Sequence, residues 1–144
     1  MVKPTVICLT ETHMGQEETI EITGYKVFTN NRNRGGGGVL IGVKEELGSV
    51  TVEVKSEKAT HESIWIKIDN GRVRIRMGVV YMPQESKCKV EEIEEIYKSV
   101  KEEVRKAEAG RERVMLVGDF NCKIGNLIPG NTNEVAKAGK YLDE

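Results

Sequence analysis

The chain has 144 residues, 38% of them apolar and 31% charged, with a formal net charge of −1. That length suits one domain with a real core, the composition excludes a disordered segment, and the charge excludes binding to polyanions through bulk positive field alone. No run approaches the roughly 18 apolar residues of a membrane span and no secretory signal is recognisable, so an intracellular protein, nuclear or cytoplasmic, without a membrane partner is expected. The cysteines Cys8, Cys88 and Cys122 form no CxxC pair, which fits reduced thiols.

Thr5-Val6-Ile7-Cys8-Leu9 is nearly continuous, apolar and β-branched, the pattern of a buried strand. Cys8 is expected to act there as a small buried hydrophobe. The strand exits into Thr10-Glu11-Thr12-His13 and an acidic loop. Residues 25–29 alternate as a strand does. The polar, glycine-rich stretch 30–38 carries Arg32 and Arg34 and reads as a hairpin connection that needs positive φ. It is also compatible with touching phosphate, because backbone amides and guanidinium groups both suit anions. It is not a P-loop, since no Gly-Lys-Ser/Thr follows. Strands are predicted over 39–43 and 50–54, and over 62–68 with Ile64, Ile66 and Ile68 on one face and Trp65 on the other. Asn70-Gly71 is a strong hairpin signal, with residues 73–81 as the return strand. This region reads as an antiparallel meander.

After Cys88 the period changes. Val90, Ile93, Ile96, Tyr97, Val100, Val104 and Ala107 fall at helical spacing, with Lys and Glu between them as a solvated face, and Gly110 stops the helix. Val114-Met115-Leu116-Val117 then reads as a strand buried on both faces, and Gly118 allows a tight turn at its end. In extended backbone, residues i and i+2 point the same way, so Asp119 and Asn121 should face one spot with Phe120 in the core. A strand ending in an ordinary polar turn would use the same residue types. Residues 136–144 look like the opening turns of a further helix.

Three apolar strands thus end in polar residues, at Glu11, Tyr81 and Asp119. If they point the same way, Glu11, Tyr81, Asp119 and Asn121 share a pocket of oxygen and amide groups. Such a set suits a hard cation, magnesium or manganese, rather than zinc. Asp69 adjoins the Asn70-Gly71 turn and Asp143 is next to last, so any aspartate doing chemistry is Asp119. No Gly-x-Ser-x-Gly elbow occurs, and nothing local lowers a thiol pKa for a cysteine–histidine pair.

In order along the chain, Ile7-Cys8-Leu9-Thr10-Glu11-Thr12-His13, the glycine-rich stretch Gly35 to Gly38, Tyr81-Met82-Pro83 and Gly118-Asp119-Phe120-Asn121 resemble motifs of the endonuclease/exonuclease/phosphatase superfamily. Within it, the chain is most similar to the apurinic-type endonuclease domains of non-LTR retrotransposons. The resemblance implies an α/β fold, a sandwich of two mixed sheets flanked by helices, that cuts a DNA phosphodiester with a divalent metal, Mg2+ or Mn2+. By position it makes Glu11 the metal ligand and aims the Tyr81 hydroxyl at the scissile phosphate. Asp119 would handle the proton of the attacking water or of the leaving oxygen, and Asn121 would orient a phosphate oxygen. Arg32, Arg34 and His13 are the substrate-binding candidates.

An upstream asparagine strand and a downstream Ser-Asp-His of that superfamily have no counterpart here. Residues 1–144 are therefore expected to be one truncated domain, roughly the first half to three-fifths of such a fold. Proton transfer by the histidine is worth about 10²–10⁴-fold, so impaired or absent activity is expected. Exposed apolar faces, self-association, or fusion to a reverse transcriptase in a longer parent are the corresponding structural expectations. A non-catalytic interaction module, a phospholipid or inositol phosphate substrate, and an unrelated small α/β protein remain as alternatives.

Overall fold

In the computed structural model, which describes residues 3–31, 37–56, 62–82, 84 and 89–121, the chain runs β1 (Val6–Thr10), β2 (Tyr25–Asn30), β3 (Val39–Lys44), β4 (Ser49–Lys55), β5 (Glu62–Asp69), β6 (Arg74–Tyr81), α1 (Val90–Ala109) and β7 (Arg113–Asp119). One sheet has the order β1-β3-β2, antiparallel throughout; the other has the order β4-β5-β6-β7, antiparallel except for the parallel β6–β7 pair. This is the two-sheet α/β sandwich expected. The single predicted meander, however, is split. A turn of 3₁₀ helix, Glu45–Leu47, redirects the chain after β3, so only β4 to β6 run as a meander in one sheet.

Period-2 alternation builds the core. Val39, Ile41 and Val43 from the first sheet meet Ile64, Ile66, Ile68, Met77 and Val79 from the second, with Val6, Cys8, Phe28 and Val117 packed around them. Burial pushes the Cys8 thiol up, which suits an inert core group and not a nucleophile. The Asn30 side-chain amide donates to the carbonyls of Ser56 (3.0 Å) and Ser63 (2.9 Å), tying the end of β2 to the second sheet. At the β5–β6 turn, Asn70 Oδ1 accepts the amides of Arg72 and Val73, as the Asn-Gly signal predicts.

The crossover helix α1 begins where Lys89 N–H donates to Glu92 Oε2 (2.9 Å) and ends at Gly110, whose N–H caps the Lys106 carbonyl. Ile93, Ile96, Tyr97 and Val100 pack on Val80, Met82, Leu116 and Phe120, the outer face of the second sheet. A helical crossover of this kind is what lets β6 and β7 run parallel.

The charges of α1 do not all form a solvated face. Glu103 is 4% exposed and accepts from Arg76 Nη1 at 2.8 Å, while Arg76 Nε donates to Glu112 Oε2 at 2.7 Å. Lys67 (2.8 Å from Glu112) and Glu53 (3.4 Å from Arg76) extend the cluster. Burial pushes the Glu112 carboxyl up, but Lys67 and Arg76 outweigh it and hold it below its ordinary value of 4.5. A lowered folded-state value means stabilisation that is present above the unfolded value and lost as pH falls through the folded one. Thermal melts are therefore expected to hold level near neutrality and fall steeply below pH 4.5, with Glu112→Gln removing part of that acid sensitivity.

The strand β7 departs from expectation. Val114 and Met115 are 39% and 46% exposed, so its apolar run is not buried on both faces. It stands at the edge of its sheet among the described residues.

Candidate active site at the end of the sandwich

Directly paired strand residues share a face, so the β5–β6–β7 register places Glu62, Tyr81 and Asp119 side by side on the inner face, at one end of the second sheet. The end of β1 meets them from the opposite sheet, and the Glu11 carboxylate lies near enough to the Tyr81 hydroxyl to favour its protonated form. Three of the strand ends expected to converge therefore do so. Two of them are parallel neighbours, and the third arrives across the sandwich rather than beside them.

The site is electrically negative. The neighbouring Glu11 carboxylate, then burial, then the charges of Asp119 and Glu62 push the Tyr81 phenol up to about 12. Tyr81 is thus a fixed O–H donor at any ordinary pH. Three of the four non-glycine residues with positive φ among the described residues, Glu11 (54°), His13 (54°) and Asn121 (44°), lie around this end. Backbone held in the left-handed region costs about 1–3 kcal/mol for such residues and concentrates at functional sites.

Asn121 is placed differently from the i, i+2 expectation. The strand ends at Asp119, and the chain turns: Asn121 N–H donates to Asp119 Oδ1 (2.9 Å), and its side-chain amide donates to the Met82 carbonyl (2.6 Å). Asn121 thus clasps β7 to the end of β6 and orients the Asp119 carboxylate through its own backbone. Phe120 turns to the helix side, as expected. His13 is exposed beside Glu11. Arg32 and Arg34 lie outside the described residues, as do Pro83, Cys88, Cys122, His61 and the 136–144 helix.

One residue of the site escaped the sequence reading. Glu62 is 4% exposed and occupies the inward series of Ile64, Ile66 and Ile68. That parity was the available signal, since an acidic residue on a core face needs a reason.

The donor set is carboxylate and phenol oxygen, matching a hard divalent cation in kind. Among the described residues no three His, Cys, Asp or Glu side chains surround one point. That is compatible with Mg2+, which is commonly held by one or two carboxylates, with water and substrate phosphate completing its shell. Glu11 is the residue that would hold it.

The sequence profile described as the endonuclease/exonuclease/phosphatase family matches residues 2–143. The chain belongs to that family. Solved structures share the fold of this family member. A TDP2 crystal structure from Caenorhabditis elegans superposes with a TM-score of 0.59 at 14% identity, over 83% of this chain and 38% of that one. Truncated TDP2 from the same organism gives 0.59 at 14%, over 83% of this chain and 50% of that one. The human Nocturnin catalytic domain, solved with a bound sulfate anion, gives 0.54 at 12%, over 83% of this chain and 52% of that one. This family member therefore spans about half, or less, of the length of those structures. No individually curated protein matches its sequence.

Proposed function

We propose that this family member is the metal-binding and phosphate-binding part of a divalent-metal-dependent phosphodiesterase that acts on DNA, of the retrotransposon endonuclease type. The observation that supports it most is the convergence of Glu11 and Asp119 on the protonated hydroxyl of Tyr81. The retrotransposon assignment rests on the Glu11, Gly35–Gly38, Tyr81 and Asp119 motifs in series.

In this reading Glu11 holds Mg2+ or Mn2+, which when bound neutralises charge on the scissile phosphate. Tyr81 keeps its proton and would offer its O–H to a phosphate oxygen. Asp119 sits exposed at the strand end, where it accepts the proton of the attacking water or returns one to the leaving oxygen. Asn121 keeps Asp119 aimed through its backbone N–H. His13, Arg32 and Arg34 supply positive or hydrogen-bonding contact to the DNA backbone.

Supercoiled-plasmid nicking in Mg2+, with Mn2+ affinity measured by titration, tests this. Parent nicking should fall about 10²–10⁴-fold in Asp119→Ala with Mn2+ binding kept. In Glu11→Ala both should fall. Equal nicking by all three proteins overturns the reading. A parent that binds DNA but does not nick supports the second reading, a non-catalytic binding module.

A further inference from the structure

We propose that Glu62 is a positioning residue of this site: from its place in β5 it grips the backbone at Gly38 and, through that backbone, fixes the Glu11 loop. The inference deepens the reading of Glu11 as the metal ligand and rests on it.

The contacts run as a chain across the two sheets. Gly38 N–H donates to Glu62 Oε2. The Gly38 carbonyl accepts Thr12 N–H at 3.2 Å, and the Gly37 carbonyl accepts His13 N–H at 2.7 Å. Those two amides directly follow Glu11, whose carboxylate neighbours Tyr81, and Tyr81 stands directly opposite Glu62 in the β5–β6 pair. The glycines are hydrogen-bonded both to Glu62 and to the two amides that follow Glu11, so the position of the Glu11 loop depends on where Glu62 holds them.

The glycines are part of the device. Gly37 and Gly38 have φ of +84° and +92°. A Cβ on Gly37 would collide with the Glu62 carboxylate, and one on Gly38 with the Thr12 hydroxyl. Only a bare backbone lets a carboxylate from one sheet come this close to the other. An apolar residue at position 62 would continue the Ile64, Ile66, Ile68 series and fill the core at no desolvation cost. The buried charge is explained by a strong, directional acceptor for a backbone amide next to the site. Supporting partners of this kind typically matter about 10–100-fold for metal affinity.

Amide hydrogen exchange on the metal-free chain, followed by Mn2+ titration, tests the proposal. In Glu62→Ala the Thr12 and His13 amides should exchange about tenfold faster or more, while central β5 and β6 amides such as Ile66 and Met77 keep their rates. Manganese affinity should fall about 10–100-fold. Glu62→Gln retains an acceptor oxygen for Gly38 without charge, and should rescue most of both effects. Uniformly faster exchange, or unchanged exchange at Thr12 and His13, overturns the proposal. So does a Glu62→Gln variant as damaged in Mn2+ binding as Glu62→Ala, which would make Glu62 a ligand. If Glu62→Ala does not fold, Gly37→Ala serves as the wedge variant, with the same local exchange expected. A parent chain that binds no Mn2+ overturns the metal reading, while the exchange comparison still decides the role of Glu62.

Discussion

Arg76→Ala is expected to lose about 3–5 kcal/mol of folding stability, because it leaves buried carboxylates without their cation. Glu103 and Glu112 are 5% and 3% exposed in their side chains, and Arg76 is 7% exposed. Native domains hold only about 5–15 kcal/mol in total, so this single change should lower the thermal midpoint by roughly 10 °C or more, and in a marginal chain prevent folding. Lys106 provides the internal control. It bonds the same Glu103 at 2.7 Å but is 48% exposed. Solvent screens it, and Lys106→Ala should cost about 1 kcal/mol or less. Denaturant melts of the two variants would decide the matter, since similar losses would mean that the Arg76 cluster is solvated. Replacing Arg76, Glu103 and Glu112 together by apolar residues of similar size should be far milder than Arg76→Ala, because no orphaned charge remains.

The same cluster marks where the sequence could and could not be read. The helix, its Gly110 stop, the Asn70-Gly71 turn and most strands follow from local periodicity and turn chemistry. Glu103 does not, because its partner Arg76 lies 27 residues away in sequence and nothing local distinguishes it from the solvated glutamates beside it. Strand existence was legible, but sheet membership was not. The split between β3 and β4 depends on a three-residue 3₁₀ turn whose direction has no periodic signature. At the site, Glu11, Tyr81 and Asp119 could be named because each ends an apolar strand. Asn121 was assigned by strand alternation, but the strand ends at Asp119 and Asn121 itself has positive φ. Glu62 was readable by parity alone, and its function depended on a backbone amide in the other sheet. The apolar run of β7 suggested burial, yet a hydrophobic run does not reveal whether a neighbouring strand covers it.

Gly118→Ala should be the most damaging small substitution at the site. Gly118 has φ +149°, and a Cβ there would overlap the carbonyl oxygen of Val80, its paired residue in β6. The obstacle is backbone in a hydrogen-bonded sheet, so no rotamer change relieves it. Dihedral strain of about 1–3 kcal/mol and overpacking of about 1–3 kcal/mol together predict a loss of roughly 2–6 kcal/mol. Gly24→Ala isolates the first part, since Gly24 has φ +84° with nothing within 4 Å of a Cβ. That variant should lose only about 1–2 kcal/mol, the ordinary penalty for a left-handed L-residue. The difference between the two is the clash, and the clash acts beside the chemistry: Asp119 and Tyr81 are the next register pair after Gly118 and Val80. Pushing β7 away from β6 there would also strain the Met82 N–H bond to the Asp119 carbonyl (2.8 Å) and the Asn121 clasp on Met82. Plasmid nicking should therefore fall further in Gly118→Ala than in Gly24→Ala even where both remain folded, and equal losses of stability and activity in the two would remove Gly118 from the argument.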